Sequence, residues 1–211
     1  MPPQLLVFDL DGTLIDSRAD LTAGVNHMRR HYGLEPLSIQ TVSGYIGDGV
    51  RKLVERSLQG ADVDIDEALR INKSYYYSHL TVHTALYDGV AEGLRRLNEA
   101  GHQLAVLTNK PGDPSREILR HFDLEHCFFT ILGGGDLPRL KPEPDGILYC
   151  MSASGAEADA TWMIGDHYVD LAVAQNAGVQ SAFVRYGFGE ERGFKPDAYF
   201  VSFPELVGYF V

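Results

Sequence analysis

At 211 residues the chain has room for one core domain and a modest insertion rather than two full domains. Its 29 Asp and Glu against 18 Lys and Arg leave a formal charge of −11, the wrong sign for gripping a phosphate backbone, so no nucleic-acid partner is expected. Hydrophobic residues make up 45% of the chain, yet no run approaches the ~20 apolar residues of a membrane span, and no membrane partner is expected either.

The first apolar run, Leu5–Phe8, predicts a short buried strand. It stops at Asp9 and Asp11, followed by Gly12. In an open α/β sheet such a strand end is where ligands bind. Buried acids there are costly unless a cation or proton chemistry uses them, which points to magnesium-assisted chemistry. A strand this early leaves no room for a signal peptide, so a cytoplasmic location is expected. Residues 15–85 show no convincing strand and carry helical patterns over 18–32, 50–58 and 66–79. Two readings stand: a helical insertion forming a lid over the carboxyl edge of the sheet, or extra helices packed on one face of the core. Beyond it, strand-like runs at 103–108, 128–132, 162–164 and 181–184 alternate with helix-like segments. Those segments cover 90–100 (closed by Gly101), 114–122, 145–154 and 168–177 (stopped by Gly178). The alternation predicts an α/β fold with a Rossmann-like parallel sheet and helices on both faces. The expected division is a core of 1–14 and 86–211 with a small helical cap of 15–85.

Four polar clusters follow these strand-like runs: Asp9/Asp11/Thr13, Thr108-Asn109-Lys110, Lys141-Pro142-Glu143-Pro144, and Gly165-Asp166-His167-Tyr168-Val169-Asp170. One polar loop means little, since loops are generally polar; four at one edge of a sheet mean more. Physically the set fits phosphoryl transfer. Carboxylates suit the hard Mg²⁺ ion, and a carboxylate can itself act as nucleophile. A hydroxyl such as Thr108 and a cation such as Lys141 can hold phosphoryl oxygens and offset developing charge.

In order, Asp9-Leu10-Asp11-Gly12-Thr13-Leu14, Thr108-Asn109-Lys110, Lys141-Pro142 and Gly165-Asp166 with Asp170 resemble the four motifs of the haloacid dehalogenase-like superfamily of phosphatases. The resemblance implies Asp9 as nucleophile and Asp11 as the acid that protonates the leaving oxygen and then activates water. It implies Thr108 and Lys141 as holders of the phosphoryl group. A Mg²⁺ cofactor would be bound by Asp9, the backbone carbonyl of Asp11, Asp166 and, directly or at one remove, Asp170. Gly12, Thr13 and Asn109 are expected at the substrate. Asp11 speaks for phosphate esters over haloacids, and the patterns of phosphonate-cleaving relatives and of ATP-driven pumps are missing. Many relatives carry Ser or Thr where this chain has His167. Either that histidine is a bystander beside the site or it touches substrate or Asp170.

The stretch Tyr45-Ile46-Gly47-Asp48-Gly49-Val50-Arg51-Lys52-Leu53, the stretch from His83 to Val90, and Thr108-Asn109-Lys110-Pro111 resemble the phosphoglycolate phosphatase branch. That implies hydrolysis of 2-phosphoglycolate, with Gly47 and Gly49 offering backbone N–H groups and Arg51 and Lys52 adding charge for a small carboxylate. The other reading of the loop is a helix start capped by Asp48 with solvated basic residues. Phosphatases of sugar phosphates or of pyrophosphate, a phosphomutase, and a non-catalytic binding module are the alternatives. The expected partner is a small phosphorylated metabolite, and the protein is expected as a monomer or homodimer. His27 and His31 lack a third ligand for a metal, and Tyr75-Tyr76-Tyr77 is expected to pack the cap. Gly133-Gly134-Gly135 is expected as a flexible loop, Cys127 and Cys150 as buried free thiols, and the loop at 186–189 lies near the site with no role assigned.

Overall fold

The computed structural model describes residues 2–211, so residue 1 of the expected core segment lies outside the described residues. Six strands form one parallel sheet: β1 (Leu5–Phe8), β4 (Gln103–Pro111), β5 (Thr130–Gly134), β6 (Thr161–Gly165), β7 (Gln180–Val184) and β8 (Ala198–Phe200). Their order is β5-β4-β1-β6-β7-β8. The chain leaves β1 in one direction to β4 and β5, then returns to its other side for β6. The reversal between β1 and β6 is the topological switch point, the crevice where such sheets bind ligands.

Alternation along β1 explains the two layers of helices. Leu6 and Phe8 face one apolar cluster with α5 (Val90–Glu99), α6 (Gly112–His121) and α9 (Phe203–Phe210). Leu5 and Val7 face the other with α7 (Asp145–Ser154) and α8 (Tyr168–Ala177). Successive side chains of a strand point to opposite faces, so a strand covered on both sides must be apolar at every position. Leu5, Leu6, Val7 and Phe8 are all buried.

Residues 15–85 differ from expectation at their two ends. β2 (Ile15–Asp16) and β3 (Ala85–Leu86) pair antiparallel where the chain leaves and rejoins the sheet domain. Between them lie α1 (Arg18–His31), α2 (Ile39–Ser43), α3 (Val50–Ser57) and α4 (Ile65–Tyr77). Met28, Val54, Leu58, Ala68 and Leu69 give α1, α3 and α4 an apolar cluster of their own. The buried Asp20 carboxylate accepts hydrogen bonds from the backbone of His83 and from both the N–H and the hydroxyl of Thr84, tying the returning chain to the start of α1. Gly133 and Gly134 are strand residues rather than a flexible loop. A Cβ on Gly133 would stand 2.4 Å from Gly112 Cα, so the glycine permits the start of α6 to pass close to β5. Among the described residues no helix is long and apolar enough to cross a membrane.

Candidate active site

The chain turns sharply after β1. Gly12 adopts φ +84°, its N–H donates to Ile15 O at 2.9 Å, and Leu14 N–H and Ile15 N–H return to Leu10 O. A Cβ at position 12 would lie 2.1 Å from Asp166 Oδ2. Glycine is therefore required twice here, by its backbone angle and by the acid beside it. Asp9 and Asp11 line the same cavity but face different partners.

Asp9, Asp166 and Asp170 each bring a carboxylate oxygen to within 4.8 Å of the others, and all three are buried. Into this cluster reaches Lys141, whose ammonium lies 2.9 Å from Asp9 Oδ1 and 2.6 Å from Asp170 Oδ1. The Asp9 contact is an ion pair whose angle leaves Oδ1 without a directional hydrogen bond. Burial works against the lysine's charge, yet the Asp170 and Asp9 carboxylates outweigh it and raise its pKa above the ordinary value. Burial, reinforced by the charges of Asp170 and Asp9, holds the Asp166 carboxyl well above the usual carboxylate range. A buried acid so disfavoured as an anion calls for a cation. The donors are all oxygen, Asp9 Oδ1 makes no directional hydrogen bond, and the missing side chain of Gly12 is what lets the Asp166 carboxylate into the cluster. The residues fit a hard divalent ion such as Mg²⁺.

The 186–189 loop, to which sequence assigned no role, orients this cluster. Phe188 N–H and Gly189 N–H both donate to Asp166 Oδ2 at 2.8 Å, and Tyr186 Oη donates to Thr13 O at 2.8 Å. A Cβ on Gly187 would stand 2.3 Å from Asp166 Cβ and 2.5 Å from Gly12 O. The only sequence signal was a pair of glycines after the fifth strand of the sheet order.

Asp11 stands apart from the three-carboxylate group by its side chain. It accepts from Ser17 Oγ at 2.5 Å and from Lys110 Nζ at 2.9 and 3.2 Å. Lys110 also donates to Tyr76 Oη, on α4, at 2.6 Å. Burial opposes the charge of Lys110, but Asp11 and Tyr76 override it and its pKa rises. Burial pushes the Tyr76 phenol up to about 12. Tyr76 was expected only to pack the helices, and no residue type at its position announces a contact 34 residues away.

Thr108 is buried within the second half of β4 and lines the cavity. Asn109 lines it too, but its amide is spent on backbone. Its NH₂ donates to Lys141 O at 3.0 Å and Gly47 O at 2.9 Å, while its Oδ1 accepts from Lys141 N–H at 2.9 Å. The side-chain amide thus fixes Lys141 and the Gly47 loop, and neither of its donor hydrogens is left for a ligand. Thr13 is fully buried behind the turn, with Oγ1 unpaired, and does not line the cavity. Gly47 does line it, and a Cβ there would meet the His167 ring at 2.5 Å. His167 is buried rather than exposed, and it lines the cavity. Burial lowers its pKa to about 4, which leaves the ring neutral at pH 7. Asp48 does not cap a helix. It accepts from Tyr168 Oη at 2.6 Å and pairs with Arg56 at 2.5 Å, while Gly49 takes the N-cap position of α3.

Arg51 is the clearest correction. It lies on the exposed face of α3, paired with Asp66 at 2.5 Å, and neither it nor Lys52, which pairs with Glu55, lines the cavity. His27 stacks on Tyr75 at 4.3 Å between ring centroids rather than joining a metal site. Cys127 and Cys150 are buried free thiols.

The site is thus a buried acid cluster at the switch point of a parallel α/β sheet, with a lysine between two of its carboxylates. Comparison with known proteins places it further. The family model of haloacid dehalogenase-like hydrolases matches residues 6–184. The chain is 37% identical over 221 residues to a phosphoglycolate phosphatase of Psychrobacter arcticus, covering 99% of this chain and 96% of that protein. It is 36% identical over 204 residues to phosphoglycolate phosphatase 1 of Pseudomonas aeruginosa, covering 93% and 74%. A crystal structure described as a predicted phosphoglycolate phosphatase from Haemophilus somnus superposes with a TM-score of 0.95 at 30% identity, covering 100% of this chain and 99% of that one. A haloacid dehalogenase-like family hydrolase from Streptococcus pneumoniae, 23% identical with a TM-score of 0.88 and 99% coverage of both chains, shares the fold. The chain belongs to the haloacid dehalogenase-like hydrolases.

Proposed function

We propose that the protein hydrolyses a small phosphate monoester, 2-phosphoglycolate above others, through a phosphoryl group carried on Asp9. The observation that carries the chemistry is the pairing of two separate acid environments in one cavity. Asp9 sits with Lys141 among the carboxylates; Asp11 sits across from them, held by Ser17 and Lys110. Asp9 attacks the phosphorus, and splitting hydrolysis into two displacements makes each step easier. Lys141 and the Thr108 hydroxyl hold the phosphoryl oxygens against developing charge. Asp11, near the leaving oxygen, gives it a proton and takes one back from the water that frees Asp9. Asp9, Asp166 and the Asp11 carbonyl, with Asp170 supporting, would hold Mg²⁺, which would offset charge on the transferring group.

A small substrate is supported by the cavity, an enclosure of about 50 Å³ lined on the sheet side by Asp9, Asp11, Thr108 and Asp166. Residues 15–85 act as the lid that closes it: Ile46, Gly47, Val50, Leu53, Asn72, Tyr76 and Tyr77 all line the cavity. A small leaving group fits beneath such a lid, and both curated relatives named above are phosphoglycolate phosphatases. The test is a panel of phosphate esters with Mg²⁺, ranked by kcat/KM. 2-Phosphoglycolate at the top is the expected result; a hexose phosphate or pyrophosphate at the top would replace the substrate assignment.

A further inference from the structure

A dianionic phosphate that also carries a carboxylate brings negative charge to a cavity already lined by Asp9, Asp11 and Asp166. The phosphoryl end has Lys141. The carboxylate end needs its own cation, and Arg51 and Lys52 do not supply it, being paired and outside the cavity. Among the described residues that line the cavity two are cationic, Lys73 and Lys110. Lys110 is committed to Asp11 and Tyr76. Lys73, half-buried on α4, makes no ion pair or side-chain hydrogen bond among the described residues, although 18 cationic residues share the chain with 29 acids.

Its position on the helix is also right. Lys73, Tyr76 and Tyr77 stand at i, i+3 and i+4, one face of α4, and all three line the cavity. The Tyr76 hydroxyl reaches the ammonium of Lys110, which grips Asp11. Lys73 is therefore about one helical turn, ~5.4 Å, from the residue that marks the general acid's side of the cavity. In 2-phosphoglycolate the carboxylate is one carbon removed from the ester oxygen that the general acid protonates. The leaving group's charge must lie on that side.

We propose that Lys73 is the residue that recognises the carboxylate of the substrate and so sets the preference of this enzyme for carboxylated small phosphates. The inference rests on the phosphoglycolate reading above. A charge-assisted contact in a cavity closed by a lid is screened little by water or salt, unlike the exposed Arg51–Asp66 pair.

The experiment compares 2-phosphoglycolate with 2-hydroxyethyl phosphate, which replaces the carboxylate by a neutral CH₂OH group, in the wild type, Lys73→Met, Lys73→Arg and Arg51→Ala. The quantity read is the ratio of kcat/KM on the two substrates. Wild type is expected to favour 2-phosphoglycolate. Lys73→Met is expected to cut that ratio at least tenfold, mainly through KM, Lys73→Arg to restore most of it, and Arg51→Ala to move it less than twofold. A wild-type preference that survives Lys73→Met overturns the role of Lys73 and leaves the substrate reading standing. An absence of preference in the wild type overturns both.

Discussion

Lys141→Met tests whether the acid cluster is held together by charge. The Lys141 side chain is 1% exposed and lies 2.9 Å from Asp9 Oδ1 and 2.6 Å from Asp170 Oδ1, with Asp166 completing a trio of buried carboxylates. Methionine keeps the volume of the stem and removes the positive charge. Breaking a buried ion pair from one side typically costs about 3–5 kcal/mol, because the remaining charge stays buried without compensation. For a chain of this size each kcal/mol shifts Tm by roughly 2–4 °C, so the melting temperature in EDTA should fall by about 6–20 °C. Mg²⁺ bound at the proposed site would return positive charge to the same oxygens. The variant should therefore gain more Tm from Mg²⁺ than the wild type does, while remaining inactive. Differential scanning fluorimetry of both proteins, with EDTA and with Mg²⁺, reads all four values. A variant that melts within about 2 °C of wild type in EDTA would show that the carboxylates adjust without the lysine, and the electrostatic account of the cluster would be wrong.

Gly187→Ala should disturb metal binding from a distance, since its Cβ would stand 2.5 Å from Asp166 Oδ2 and from Gly12 O; calorimetric titration should show Mg²⁺ affinity at least about tenfold weaker, consistent with losses on mutating residues that orient metal ligands. Unchanged affinity would mean that the 186–189 loop does not aim Asp166. Tyr76→Phe removes an acceptor 2.6 Å from a buried ammonium and should lower urea-unfolding stability by about 1–3 kcal/mol; an unmoved midpoint would mean that Lys110 is satisfied by Asp11 alone. Burial pushes the Cys150 thiol up to about 12, so at pH 8 only about one molecule in 10⁴ carries the reactive thiolate. A thiol reagent should label Cys150 only after unfolding, and rapid native labelling would contradict its burial.

How much was legible in the sequence depended on whether the signal was local. The bounds of α7 and α8 coincide with the expected segments 145–154 and 168–177, because apolar spacing and a left-handed Gly155 or Gly178 mark them within one stretch of chain. Of the four motif clusters, Asp9 and Asp166 directly follow β1 and β6, whereas Thr108-Asn109-Lys110 lies within β4, which runs on to Pro111, and Lys141 comes only after the turn that follows β5. The two-residue strands β2 and β3 escaped, since pairing across 70 residues leaves no periodicity to see. β8 and α9 escaped as well, although Ser202 and Glu205 carry a helix-start signal: Ser202 Oγ accepts from Glu205 N–H at 3.3 Å. In the site, residue type indicated chemistry but not direction. Arg51 and Lys73 are both cations on cap helices, and only packing decides that α3 turns Arg51 outward while α4 turns Lys73 to the cavity. The motif resemblance puts Asn109 at the substrate; that its side-chain amide makes three hydrogen bonds to backbone is set by packing and left no mark in the sequence.

In the proposed mechanism a carboxylate oxygen of Asp9 carries the phosphoryl group. The most direct measurement quenches the enzyme during turnover of 2-phosphoglycolate with Mg²⁺, reduces the product with borohydride and maps the peptides by mass spectrometry. An acyl phosphate is reduced where a free carboxylate is not, so homoserine should appear at position 9 and at no other aspartate, and should vanish when substrate is omitted. Steady turnover with no modified residue, or modification at Asp11, Asp166 or Asp170 in place of Asp9, would contradict it.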